Sequence, residues 1–451
     1  MDDKNKPGRS RQRVLAAAIG GLMAATALPA FADSEVDALK QELAAQRKLI
    51  EQLMADRDAK AAAAATPAPA PAAAPAANAV TSTPAVRIYG IFDGGVEHIS
   101  NVKDNIAVSG AATSKVGGVT RMPSITATLP SRVGIAGTKD VGGGYKGIAV
   151  AEIGFNTDDG TLGQGGRIFG RQLYAGIDTP YGAVTYGRQW SMLFHAMLGT
   201  DILGPNVYAL GSMDGYLPSM RYDNSVAWRG TFGKFQAGVL YSFARADSGG
   251  LITPTSSGAP ASGNCAGEVA GDANQCRGFS AMAKYDEADW GVAAAVDEQR
   301  GGLGAKAFFF NGTAPIAFTN SGDKDRRVNL GGYVKFGPLK VAGGVLDRKL
   351  STTATSVSST AYYLGAAYPI TPKITLDGGV ARMNNSDQDR DGTLFALRAF
   401  YNFDKGLDAY FQVGHMSNST KAAYSLSVGS NVAPPAGGSQ TGEMVGLRYM
   451  F

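Results

Sequence analysis

The 451-residue chain has no uninterrupted apolar run of about 18 residues outside its first 32, so no transmembrane helix is available beyond that leader. What remains is an exported soluble protein, or a membrane β-barrel whose lipid-facing residues are hidden by alternation. Histidine is scarce: only His98, His195 and His415 occur. With no Gly-x-Ser-x-Gly elbow and no HExxH pattern, the chain lacks the usual signatures of nucleophilic or metal-assisted hydrolysis, and no enzyme activity, metal or cofactor is expected. Charge is nearly balanced. The formal net charge is +4, and the first 32 residues carry five basic against two acidic side chains, so the rest is close to neutral. No nucleic-acid partner is expected, and any selectivity must come from where charges sit. Cysteine is limited to Cys265 and Cys276, with ten residues between them in a Gly/Ser/Asn-rich stretch and no histidine nearby. In an exported chain that spacing reads as a local disulfide stapling a loop.

Glycine, by contrast, is abundant: 60 of 451 residues, about 13% against about 7% on average. That excess suits many turns and closely approaching strands. Residues 1–32 read as a secretory signal, with Arg9, Arg11 and Arg13 ahead of an apolar core from Val14 to Leu28 and an Ala30-Phe31-Ala32 cleavage site. Residues 33–60 read as a helix. Val36, Leu39, Leu43, Gln46, Ile50 and Leu53 alternate three- and four-residue spacings, a coiled-coil seam whose simplest cover is self-association, with a parallel trimer preferred. A frayed helix without a partner is the alternative. Residues 61–85 are an uncharged Ala/Pro-rich spacer.

From residue 86 to 451 the pattern becomes all-β. Sixteen strand-like runs begin near Val86, Arg132, Tyr145, Arg171, Ala183, Ser219, Phe235, Gly278, Gly291, Arg327, Lys340, Ala361, Ile374, Gly392, Asp408 and Glu443. Short connections such as 179–182 and 337–339 alternate with long ones such as 101–128 and 246–277. Short turns on one side and long loops on the other predict a 16-stranded antiparallel transmembrane barrel with both ends on the periplasmic side. In the last run Val445, Leu447, Tyr449 and Phe451 share one parity, suited to lipid, and Met444, Gly446, Arg448 and Met450 share the other. Parity likewise turns Arg132 and Arg221 inward. A connection of nearly thirty residues, about 191–218, holds Asp201 and Asp214 and is expected to fold into the bore and narrow it.

Several stretches resemble the trimeric general-diffusion porins of Gram-negative outer membranes, in their neisserial and beta-proteobacterial branch. They are Ser131-Arg132-Val133-Gly134 running to Asp140 and Gly142-Gly143-Gly144, Phe169-Gly170-Arg171-Gln172-Leu173-Tyr174, Tyr186-Gly187-Arg188-Gln189, Arg221-Tyr222-Asp223-Asn224-Ser225, and the terminal Phe451. The resemblance implies a homotrimer, a third external loop folded inward, and a constriction with Arg132, Arg171 and Arg221 as a basic wall and Glu152 as an acidic partner. Asp201 and Asp214 are the candidate loop acids. Arg171 shares parity with the lipid-facing Leu173 and Ile177, so either a bulge intervenes or the position does not carry the role. Tyr449 and Phe451 look like the signal read by the barrel-assembly machinery. Outer-membrane lipid and lipopolysaccharide are the expected surroundings, and the N-terminal helix would hang in the periplasm, where similar modules reach peptidoglycan.

The expected function is a water-filled channel for small hydrophilic solutes and ions, mildly anion-selective because clustered arginines set the field in the neck. Two other readings compete. One is a structural tether whose helix is the working part. The other is a substrate-specific porin, which requires aromatic side chains lined up along the bore.

Overall fold

A computed structural model describes residues 84–451 except 104–106, 109–110, 113–114, 125, 219, 246–264, 266 and 429–431. The expected signal, helix and nearly all of the spacer lie outside the described residues. One closed antiparallel barrel accounts for the remainder. Its strands are β1 (Ala85–Lys103), β2 (in two pieces, Val116–Arg121 and Arg132–Gly142), β3 (Tyr145–Gly154), β4 (Gln172–Thr179), β5 (Gly182–Trp190), β6 (Arg221–Phe232), β7 (Phe235–Ser242), β8 (Gly278–Asp286), β9 (Trp290–Arg300), β10 (Lys324–Phe336), β11 (Leu339–Ser351), β12 (Ser356–Pro369), β13 (Ile374–Asn384), β14 (Gly392–Asp404), β15 (Leu407–Asn418) and β16 (Gln440–Met450). Each pairs with its neighbour in sequence, and β1 closes the ring against β16 from Ile91↔Met450 to Ile99↔Gly442.

The alternation read from the sequence is the alternation of the wall. Val445, Leu447, Tyr449 and Phe451 are exposed on the outside, whereas Arg448 turns inward to Asp408. At the short-turn end the outer face carries exposed Phe232, Phe235, Trp290, Phe336, Tyr368 and Phe403, an aromatic girdle suited to a membrane interface.

Two departures from simple alternation shape the bore. The first is that β2 is broken. Val116–Arg121 pairs with the top of β1, Arg132–Gly142 pairs with its bottom, and residues 126–131 between them turn inward, onto Asp93 and Val207. The sequence pattern assigns 116–121 to a long loop, because Val116-Gly117-Gly118-Val119 offers no period-two signal, whereas the structure pairs it with β1. The second is a bulge in β6. Asn224 has φ of 45°, and from Ser225 to Tyr222 three steps of β6 oppose two of β5.

The connection from Ser191 to Met220 (hereafter L3) does fold into the barrel. Ser191 caps a short helix, α1 (Met192–Met197), accepting a hydrogen bond from Phe194 N. Met192, Leu193, Met197, Leu203, Val207, Tyr208, Leu210 and Met213 are all buried against the inner wall. The glycine excess explains how L3 lies so close. A methyl group built on Gly238 would stand 2.5 Å from Met192 Sδ, one on Gly365 2.8 Å from Ile202 Cβ, and one on Gly414 2.9 Å from Tyr208 Cδ2. The inner wall is thus cut back where the loop rests. At the long-loop end, Cys265 and Cys276 form the expected disulfide, packed with Phe309, Phe318, Leu350 and Val357.

Candidate channel constriction

Inward parity on adjacent strands brings Glu152 of β3 beside Arg132 of β2 and Tyr89 of β1. Tyr89 donates its hydroxyl to Glu152 Oε2 at 2.9 Å, and Arg132 Nε lies 3.6 Å from the same oxygen. Arg171 reaches Glu152 Oε1 at 2.7 Å. No bulge is needed for this. Arg171 sits one residue above the start of β4, past the last rung Glu152↔Gln172, so strand parity does not bind it. Its backbone N–H still donates to Glu152 O at 3.3 Å. Glu152 is therefore shared by two guanidiniums.

A second shared carboxylate lies at the rim where β5 and β6 end. Asp223 accepts from Arg188 Nη1 at 2.5 Å and from Arg167 Nη1 at 2.7 Å. Between the two groups stands Arg221, only 5% exposed, with Arg171 and Arg188 among its nearest charges. Its guanidinium carbon lies 3.7 Å from the centroid of the Trp190 indole, its own cross-strand partner. On α1, Phe194 stacks on the same indole at 3.9 Å and 13°. Among the described residues no carboxylate pairs with Arg221, and its Nε has no acceptor. Five guanidiniums thus meet two carboxylates.

The acids of L3 are elsewhere. Asp214 binds Arg327 at 3.0 Å and Arg348 at 3.4 Å on β10 and β11, and Asp325 closes that group through Arg348 at 2.8 Å. Burial opposes ionisation of Asp214, yet the two guanidiniums hold its carboxyl below the usual range. Asp201 accepts from Leu203 N at 3.1 Å, a turn within the loop. Wall cations also bind the loop backbone: Arg398 donates to Ile202 O and Leu203 O, and Lys340 to Gly199 O. The sequence-predicted residues therefore separate into two places. Arg132, Glu152, Arg171 and Arg221 come together, while Asp201 and Asp214 help to shape and seat L3. Sequence reasoning missed Trp190, Phe194, Arg188 and Arg327; the inward parity of Arg327 against Val328 and Leu330 was the available signal.

A closed barrel with an inward loop and a charged neck defines a channel-forming outer-membrane protein. The chain belongs to the Gram-negative porin family, whose model matches residues 60–421. An outer membrane porin of Bordetella pertussis is 30% identical over 184 residues, 38% of this chain and 46% of that protein. Outer membrane porin protein 32 of Delftia acidovorans is 23% identical over 408 residues, covering 83% of this chain and 97% of the relative. Among solved structures, an anion-selective porin from Comamonas acidovorans superposes with a TM-score of 0.63 at 20% identity, over 82% of this chain and all of that one. A Vibrio cholerae outer membrane protein solved in trimer form gives 0.55 at 16% identity over 82% of this chain and all of that one.

Proposed function

We propose that the chain forms a water-filled outer-membrane channel for passive diffusion of small hydrophilic solutes, with a preference for anions set by the arginines around Glu152 and Asp223. One observation carries this: the unpaired Arg221 beside two doubly shared carboxylates leaves the neck net positive, and no L3 carboxylate is bonded to it among the described residues. The relatives are channels rather than enzymes, which supports the same class. A homotrimer fits the assembly named for the Vibrio cholerae neighbour. Phe451 and Tyr449 would act as the assembly signal, a reading supported by the pairing of the Phe451 backbone with Gly90 and the stacking of the two rings. Residues 33–60 would extend into the periplasm toward peptidoglycan.

The test is reversal potential under a potassium chloride gradient in planar bilayers. Wild type should favour chloride, and Arg132→Ala/Arg221→Ala should lose most of that preference with the channel still open. Unchanged selectivity in the open double variant would remove the constriction assignment. No conductance from folded protein would remove the channel.

A further inference from the structure

Below L3, in the periplasmic half of the bore, one arc of the inner wall carries cations that the neck does not use. Arg229 of β6, Lys284 of β8, Lys335 of β10 and Lys340 of β11 all have inward parity. They lie at the short-turn end: Arg229 is three residues from Phe232 of the girdle, Lys284 two from the end of β8 and Lys340 one from the start of β11. Lys335 and Lys340 are direct cross-strand partners, and their ammonium groups lie 5.6 and 4.8 Å from the centroid of the Tyr333 ring. Like charges opposed across a ladder are destabilising, so fold stability does not explain the pair. Carboxylates are scarce here. Asp286 lies 3.8 Å from Lys284 and also accepts from Tyr333 at 3.2 Å and Gln236 at 3.3 Å. Glu287 is held by Lys234 and Tyr285. Among the described residues Arg229, Lys335 and Lys340 form no ion pair. Arg229 Nη1 lies 2.7 Å from His195 Nε2 of α1, Lys340 donates to Gly199 O at 2.7 Å, and Lys335 donates to Ala288 O at 3.1 Å. The facing wall differs: there Arg398 pairs with Asp377 at 2.6 Å and Arg448 with Asp408 at 2.8 Å.

Distance separates this arc from the neck. Arg229 stands eight residues below Arg221 on β6. At about 3.3 Å per residue and a tilt near 40°, that is roughly 20 Å. Two Debye lengths at 0.1 M are about as long, so the two groups act on a passing ion independently. Lys284 is close enough to act electrostatically on both His195 and Lys340, so the cations converge on one space under α1. A guanidinium fork with ammonium groups beside it suits a tetrahedral dianion better than chloride. We infer that Arg229, Lys284 and Lys340, with Lys335 beside Lys340, form a binding site on the periplasmic side of L3 for a phosphate-bearing solute. The site presupposes the proposed channel, but its readout is separate from that of the neck.

Inorganic phosphate at mildly alkaline pH, where it is a dianion, is the probe. It is added to one side of planar bilayers that hold oriented channels in potassium chloride. Phosphate on the periplasmic side of wild type should block the chloride current at a lower concentration than phosphate on the external side, and acetate should not block. Arg229→Ala/Lys284→Ala should raise the half-blocking concentration about tenfold, the loss of two exposed charge contacts, with the channel still open and chloride-selective. Lys284→Gln, which leaves the bonds of Arg229 and Lys340 to L3 in place, should move the block in the same direction, and Arg229→Lys should stay near wild type. Arg132→Ala/Arg221→Ala should keep the periplasmic block whether or not it loses chloride preference; loss of the block there would make the neck the binding site and overturn the inference. Block of equal strength from both sides, equal block by acetate, or wild-type block in Arg229→Ala/Lys284→Ala also overturns it. So does an unchanged block in Lys284→Gln, which would place the effect in the contact of Arg229 with α1.

Discussion

Replacing Asp93 with alanine should loosen L3 without touching it. Asp93 is 2% exposed on the inner face of β1, beside the gap in β2. Its Oδ2 accepts from Thr128 N at 3.0 Å, Thr128 Oγ1 at 2.5 Å and Leu129 N at 2.7 Å, so it holds down the inward segment 126–131. That segment grips the tip of L3: Val207 N donates to Ala127 O at 2.8 Å, and Thr126 Oγ1 donates to Pro205 O at 2.9 Å. On the other side Val207 O accepts from Val428 N at 2.9 Å. Alanine would leave three buried donors without an acceptor, at about 1–3 kcal/mol each. Water and relaxation recover part of this, so a net loss of about 4 kcal/mol is reasonable, close to a thousandfold rise in local opening. The barrel should still close, because the lost bonds are outside the ladder. Single-channel traces should gain frequent brief transitions, and the Val207 amide should exchange faster by hydrogen–deuterium mass spectrometry. Asparagine, which keeps one side-chain acceptor, should fall between. A quiet Asp93→Ala channel with a protected Val207 amide would show that the segment does not hold the loop.

The seating of L3 on the far wall gives further outcomes. Asp214 has its folded-state pKa depressed by Arg327 and Arg348, so its contribution is full above the ordinary carboxylate value of about 3.9 and is lost only as pH falls through the depressed value. Acid-induced closures traced to this group should therefore be absent at pH 5 and begin below about pH 4 in conductance recordings; onset near pH 6 would contradict the assignment. At Gly331 a methyl group would stand 2.8 Å from Tyr363 Oη and 2.9 Å from Thr200 Oγ1. Gly331→Leu should push L3 into the bore and lower conductance while heat-modifiable gel migration stays that of a folded barrel; unchanged conductance would mean that the wall yields instead.

The barrel was legible in the sequence because lipid imposes a strict rule. Every second residue of a spanning strand must be apolar outside, and sixteen runs with alternating connection lengths repeat that rule. Where the rule is suspended, the sequence was opaque. Val116–Arg121 contains Gly117 and Gly118 and gave no alternation. The bulge at Asn224 left no mark that one sequence could reveal. At the neck, motif and parity together pointed to Arg132 and Arg221, and the motif alone pointed to Glu152 and Arg171, four residues that the fold brings side by side. L3 was read for its two acids, although its Met, Leu and Tyr content was the stronger signal of a loop packed on a wall. The partners of Asp214 lie 113 and 134 residues away, and only strand register could bring them together.

That division of labour underlies the proposed anion preference. L3 lies flush in glycine seats, and the wall cations Arg327, Arg348, Arg398 and Lys340 bind its carboxylate or carbonyls. No loop acid is then paired across the neck with Arg132, Arg171 or Arg221 among the described residues, and the excess charge near Trp190 stays uncompensated. In water an uncompensated charge about 7 Å from a passing ion is worth about 0.6 kcal/mol, close to thermal energy. Three such charges favour an anion about twentyfold and disfavour a cation equally, so the unscreened limit on the preference is a few hundredfold. A Debye length of about 10 Å at 0.1 M and about 3 Å at 1 M places the neck on either side of effective screening. Chloride-over-potassium permeability should therefore be clear at 0.1 M and fall several-fold at 1 M. A ratio that does not change with salt would point to a steric filter, and the arginines would then serve only to hold Glu152 and Asp223 in the wall.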